Sequence, residues 1–168
     1  MVAGSLVAAP GTNGLLGALL AALMLAIAVV DAQHYIIPNQ LTGAALALAL
    51  FRAGMAEPEP GWLNVLWAVL RATATALPLL LLMRAYRRWR GRDGLGLGDV
   101  KLAVVAGAWL GWVTIFAVIE LAALSALGAY AVNGYLRGRP LNATAFLPFG
   151  LFLAPAIWIG WLAEALWN

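Results

Sequence analysis

Apolar residues in this chain come in long unbroken runs, not at the alternating or 3.6-residue spacing of half-buried strands and surface helices. Breaking the sequence at charges, prolines and glycine clusters leaves six such runs. They lie at approximately 14–30, 40–56, 62–83, 99–111, 113–136 and 146–167. Most reach the ~17–25 residues that a helix needs to cross the hydrocarbon of a bilayer. The fourth is too short for a standard span, and the stretch from Gly107 to Trp112 must hold its turn. The segments EPEPG at 57–61 and RGRPLNAT at 137–144 read as loops. Pro78 predicts a kink in the third run and Pro155 one in the sixth, which membrane helices tolerate. The pattern predicts an all-α, polytopic membrane protein of about six transmembrane helices.

Composition strengthens this reading. Of the 168 residues 64% are hydrophobic and 10% charged, whereas a soluble domain is roughly half apolar and a quarter charged. The excess must face lipid. No stretch long enough to fold in water separates the runs, so residues 1–168 read as a single transmembrane domain. Cysteine is absent, which excludes disulfides, Cys-ligated zinc and thiol nucleophiles. The net charge of +3 needs no nucleic acid, because the basic residues sit in short segments between apolar runs. Arg84, Arg87, Arg88, Arg90 and Arg92, with Arg137, Arg139 and Lys101, fall on one face of a six-span arrangement. That face is predicted to be cytoplasmic and both termini extracytoplasmic. Arg52 is the only basic residue near the other face, beside Glu57 and Glu59. Trp62, Trp67, Trp109, Trp112, Trp158, Trp161 and Trp167 fall toward that outer side, where tryptophan is drawn to the interface. No Lys or Arg precedes Arg52, so the first run lacks the basic flank of a cleaved signal peptide and is expected in the mature protein.

In this orientation Asp31 ends the first span and Asp99 begins the fourth, so two acids distant in sequence reach one depth. Carboxylates in membrane segments are costly and mark functional sites. Within hydrogen-bonding distance the two cannot both ionise, and the pair holds one proton between them. The ionised member can activate a water while the protonated member polarises a peptide carbonyl, which is hydrolysis without metal, cofactor or covalent intermediate. The plainer alternative is that each Asp caps a helix, and Asp99 stands where an N-cap would. Gly94, Gly96 and Gly98 precede Asp99, so another backbone can approach there or the turn can adopt positive φ. Pro38, in the Ile37-Pro38-Asn39 segment after Asp31, cannot continue a helix, and the chain turns back there.

Asp31 with Ile37-Pro38-Asn39, then Gly96-x-Gly98-Asp99-Val100-Lys101-Leu102, then Leu147-Pro148-Phe149-Gly150, resembles the type IV prepilin peptidases. These are GxGD-type intramembrane aspartyl proteases, and the likeness covers about residues 15–160. The resemblance implies that Asp31 and Asp99 are the catalytic aspartates, acting at the cytoplasmic face of the inner membrane. Their partners would be type IV pilin-like precursors, cut after a short basic leader and before the hydrophobic helix. It places Gly96, Gly98, Lys101, Pro148, Phe149 and Gly150 as substrate-binding candidates. Bifunctional members carry an extra cytoplasmic domain with paired CxxC motifs and also N-methylate the new terminus. This cysteine-free chain looks like the short form, similar to the preflagellin and tight-adherence (Flp) pilus peptidases, expected to cut without methylating. Where many relatives have Pro after PFG, this chain has Leu151.

His34, the only histidine, reads as a loop residue or a substrate contact. Lys101 either snorkels to the surface or biases the charge of the pair. Asp93 reads as a partner of the neighbouring arginines, and Ser5 and Ser125 lie in no serine-protease setting. Arg71 and Glu120 fall at one depth near the outer side, where each is the other's only opposite charge, and they are expected to pair. The alternative there is an Arg71 that snorkels and a Glu120 that is protonated. A small proton-coupled transporter and a noncatalytic subunit of pilus assembly are the rival readings of the whole chain.

Overall fold

The computed structural model describes residues 1–9, 11–56, 58, 60–90, 96–137 and 148–167. Among these residues the chain is helical, with no strand. The helices are α1 (Val2–Ala8), α2 (Thr12–His34), α3 (Asn39–Gly54), α4 (Gly61–Arg90), α5 (Leu97–Trp109), α6 (Trp112–Leu136) and α7 (Phe149–Trp167). Helices α2 to α7 occupy the six apolar runs. The seven-residue α1 was not legible as an element, being too short to carry a period. It packs on α2 and α7, buries Ser5, and receives on the Ser5 Oγ a hydrogen bond of 2.9 Å from the Trp158 indole N–H.

Four helices, α2, α4, α6 and α7, are long and apolar enough to cross a membrane. With 16 and 13 residues, α3 and α5 are shorter. At ~1.5 Å per residue α5 extends only ~20 Å, against ~30 Å of hydrocarbon. Most of its length is covered by protein instead of lipid. Val100, Leu102, Ala103, Val105, Ala106, Ala108 and Trp109 of α5 are buried, with α3, α4 and α7 packed around them. The turn into α6 is Leu110–Gly111, within the stretch expected to hold it.

Lipid offers no hydrophobic reward for joining helices, so small residues that permit close approach take over that role. A Cβ on Gly107 would stand 2.6 Å from the Arg71 carbonyl oxygen and 2.7 Å from the Ala72 Cα, so the α4–α5 crossing requires glycine. A Cβ on Gly17 of α2 would overlap the ring of Trp161 of α7, which is fully buried.

Several expectations need correction. The helix α4 continues through Arg90, so Arg84, Arg87 and Arg88 project from helix and not from a loop. The connection 137–144 lies outside the described residues beyond Arg137, as do Asp93 and Gly94. Pro78 and Pro155, by contrast, sit inside helices as their runs predict. Trp109, Trp158 and Trp161 are buried in the bundle, so only Trp62, Trp67, Trp112 and Trp167 remain exposed at that end. Their ring area fills the core, where Trp109 Nε1–H donates to the Ala45 carbonyl at 3.0 Å. Arg71 and Glu120 do not pair. Glu120 lies on the exposed side of α6, while Arg71 turns toward α5 and donates from Nε to the Gly107 carbonyl at 3.3 Å. The acid whose charge reaches Arg71 is Glu164 of α7.

Gly17→Ala should destabilise the protein by about 1–3 kcal/mol, because a rigid buried indole must move. Thermal unfolding in detergent measures this, and adding Trp161→Phe should recover part of the loss; equal stability of Gly17→Ala and the wild type would contradict the packing.

Candidate active site

The segment after α2 has little freedom. Tyr35 caps the helix in the left-handed region, with φ 54° and ψ 32°, and its N–H donates to the Asp31 carbonyl at 2.9 Å. Glycine is the usual residue in such a cap. The reversal aims Ile37 inward, and Pro38, with φ −65° and ψ 133°, becomes the N-cap of α3. Thr42 closes that end by donating its hydroxyl toward the Pro38 and Asn39 carbonyls, at 3.2 and 3.1 Å.

Asp31 lies in the last turn of α2 and is only 5% exposed. A carboxylate so enclosed needs hydrogen bonds, and the start of α7 supplies them. The Leu151 N–H donates to Asp31 Oδ2 at 2.9 Å, and the Gly150 N–H also donates to this carboxylate. These N–H groups belong to a first helical turn, which lacks the usual helical partners four residues back and carries the positive end of the helix dipole. The acid and the helix start satisfy each other.

Asp99 occupies the first turn of α5, where the N-cap is Gly96. The capping position expected for Asp99 is therefore corrected by three residues. Its carboxylate reaches back to accept the Gly96 N–H, as an acid at the third helical position can. The two aspartates are near enough to act on each other electrostatically. Neither Gly96 nor Gly98 adopts positive φ.

Ile37 joins the three segments. It is buried, and a Cβ on Gly98 would stand 2.8 Å from its Cδ1, and one on Gly150 2.7 Å. The Gly150 Cβ would also meet Asp31 Oδ2 at 2.8 Å. What approaches these glycines is a side chain, not the backbone that the glycine pattern suggested. A Cβ on Gly96 meets only ordinary contacts, so its side-chain space does not explain glycine there. Lys101 donates from Nζ to Asn39 Oδ1 and thereby ties α5 to the start of α3. Beside this bond a groove of about 270 Å³ opens between α3 and α5, lined by Thr42, Gly43, Leu46, Val104 and Val105. Phe149 is partly buried against the core, and Pro148 accepts the Leu151 N–H at 3.2 Å through its carbonyl. His34 is exposed.

The structure thus gathers Asp31, Asp99, Gly96, Gly98, Lys101 and Gly150 at one end of the bundle. Sequence reasoning passed over the part played by Ile37 and Asn39, although the Ile37-Pro38-Asn39 segment was the available signal. Gly98→Ala should cost about 1–3 kcal/mol of stability through overpacking against Ile37. In a double-mutant cycle read by thermal unfolding, Ile37→Ala should offset much of that loss; strictly additive losses would show that the two do not touch.

Comparison with known proteins gives the following similarities. The sequence profile of the type IV leader peptidase family matches residues 18–132, which include Asp31 and Asp99. A prepilin leader peptidase/N-methyltransferase of Aeromonas hydrophila is 34% identical over 162 residues, covering 96% of this chain and 53% of that protein. The leader peptidase HopD of Escherichia coli is 33% identical over 132 residues, covering 78% of this chain and 82% of that protein. A prepilin leader peptidase/N-methyltransferase of Burkholderia pseudomallei (strain K96243) is 35% identical over 136 residues, 80% of this chain and 42% of that protein. The chain spans about half the length of the Aeromonas relative. No solved structure matches it.

Proposed function

This chain belongs to the type IV leader peptidase family, and on that premise we propose that it is a membrane-embedded aspartic endopeptidase that removes the short basic leader of type IV pilin-like precursors. Asp31 and Asp99 are the catalytic pair in this reading. The observation that supports it most is that two carboxylates, far apart in sequence, lie at one end of a helical bundle near enough to act on each other electrostatically, with Ile37, Gly98 and Gly150 packed beside them.

The chemistry follows from one shared proton. The ionised carboxylate takes a proton from a water, and the resulting hydroxide adds to the scissile carbonyl carbon. The protonated carboxyl donates to the carbonyl oxygen, giving a neutral tetrahedral diol. Collapse of the diol breaks the C–N bond: the leaving nitrogen receives a proton from one carboxyl while a diol hydroxyl gives its proton to the other aspartate, so the pair again holds one proton. Because Gly98 and Gly150 are covered by Ile37 and Asp31, we assign them to building the site. Lys101 positions Asn39 and the mouth of the α3–α5 groove, along which we place the apolar segment that follows the cut.

We further read α2 to α7 as six passes, with the end bearing the aspartates at the cytoplasmic face of the inner membrane and both termini outside. Arg84, Arg87 and Arg88 on the last turns of α4, and Arg137 after α6, support this by the positive-inside bias. The two short helices fit such a bundle because protein, not lipid, surrounds most of α5. Flp-type precursors are the substrates that the short-form resemblance favours. We read residues 1–168 as a single peptidase unit.

Asp31→Asn and Asp99→Asn should each abolish cleavage of a pilin-like precursor by purified protein, while insertion and accumulation stay normal. Asn keeps the shape but cannot share the proton. Asp93→Asn should cut normally, and cleavage by either dyad variant would refute the assignment. The rate should fall on both sides of an optimum pH, since the pair fails with two protons and with none. With S-adenosylmethionine as the only addition, mass spectrometry of the product should find an unmethylated N-terminus; a methylated one would overturn the peptidase-only reading.

A further inference from the structure

At the end of the bundle opposite the aspartates, a cavity of about 390 Å³ opens between the starts of α2 and α4 and the ends of α3 and α5. Asn13, Arg52, Asn64, Trp67 and Arg71 line it. Two guanidiniums in one cavity of an apolar bundle call for a reason, because cations at that position are costly without counter-charge.

Arg52 is held firmly. Its Nε donates to Asn13 Oδ1 at 2.9 Å and its Nη1 to the Trp109 carbonyl at 3.2 Å, and its guanidinium lies 5.4 Å from the Trp109 ring centroid. Arg71 is anchored through Nε alone among the described residues, to the Gly107 carbonyl. A guanidinium has five N–H donors in a planar fork, so the outer edge of Arg71 stays open toward the cavity. The two cations repel each other. Glu164 is the acid that acts on both, and its Oε1 also accepts the Gly111 N–H at 2.7 Å. Among the described residues that is two cations to one acid, around a space large enough for a small anion.

We propose that this cavity binds a phosphate group, taken up by the open fork of Arg71 with Arg52 as the second cation. Paired guanidinium N–H groups match two phosphate oxygens, which lysine cannot reproduce. The level in the bundle suits a lipid headgroup. The cavity sits at the first residues of α2 and α4, beside the exposed indoles of Trp62 and Trp67, where tryptophan marks the membrane interface. A free phosphate ion offers the same chemistry. The site is separate from the aspartates and owes nothing to peptide cleavage.

The test uses the full-length protein in a non-ionic detergent, with thermal unfolding and retention in native mass spectrometry as readouts. The probes are short-chain phosphatidylglycerol, the diacylglycerol with the same chains, and inorganic phosphate against chloride at equal ionic strength. Phosphatidylglycerol should raise the midpoint by about 3 °C or more, and the diacylglycerol should not. A rise with inorganic phosphate would identify the free ion as a sufficient ligand; a rise with the phospholipid alone would identify the headgroup. Arg71→Gln should weaken binding about tenfold or more, and Arg71→Lys should restore only part of it. Ala53→Asp places an acid on the cavity wall without removing either arginine, so it tests the site even if Arg71→Gln fails to fold, and it should abolish the shift. The proposal is overturned if neither phosphate-bearing probe moves the midpoint, or if Ala53→Asp responds as the wild type does.

Discussion

A buried carboxylate on one helix and the first-turn N–H groups of another hold this bundle in register. Asp31 cannot stay enclosed without donors, and the first turn of α7 cannot be enclosed without an acceptor. Their hydrogen bond at 2.9 Å spans 120 residues of sequence. It brings the last helix alongside α2, and the seam continues through Gly17 and Trp161. Ile37 then fills the remaining space between α2, α5 and α7, which is why glycines stand opposite it at 98 and 150. Removing any one member leaves either a void or an unsatisfied polar group.

The short central helix shapes the two ends of the molecule. Helix α5 spans only about two-thirds of the hydrocarbon thickness, and its middle and C-terminal turns are enclosed by the bundle. Asp99 is drawn inward at one end and Trp109 at the other. Around Trp109 gather Arg52 and, two residues back along α5, Arg71 on the Gly107 carbonyl. Arg52 and Arg71 are thus held at the end away from the aspartates, and the aspartate pair meets no arginine among the described residues. The nearest cation on its own helix, Lys101, is held by Asn39. In our reading that separation lets the two aspartates share a proton instead of forming ion pairs.

Hydrophobic run length alone determined that the chain is helical and lies in a membrane, because backbone polar groups in lipid have no other way to be satisfied. Helix-breaking residues located the reversals at Pro38 and at Leu110–Gly111, since proline and glycine act on the backbone where they stand. The Asp31 and Asp99 segments were conspicuous because charge is rare in such runs. Side-chain partners were not legible, as they depend on which way each helix is rotated, and an almost uniformly apolar run carries no such phase. Glu120 looked like the partner of Arg71 by depth, yet rotation of α6 exposes it, and the acid near Arg71 is Glu164, nearly a hundred residues along the chain. Tryptophans expected at the interface were turned into the core for the same reason. Depth in the membrane is a property of position along the chain, which sequence states directly; contact around the helix axis is decided only when the helices pack.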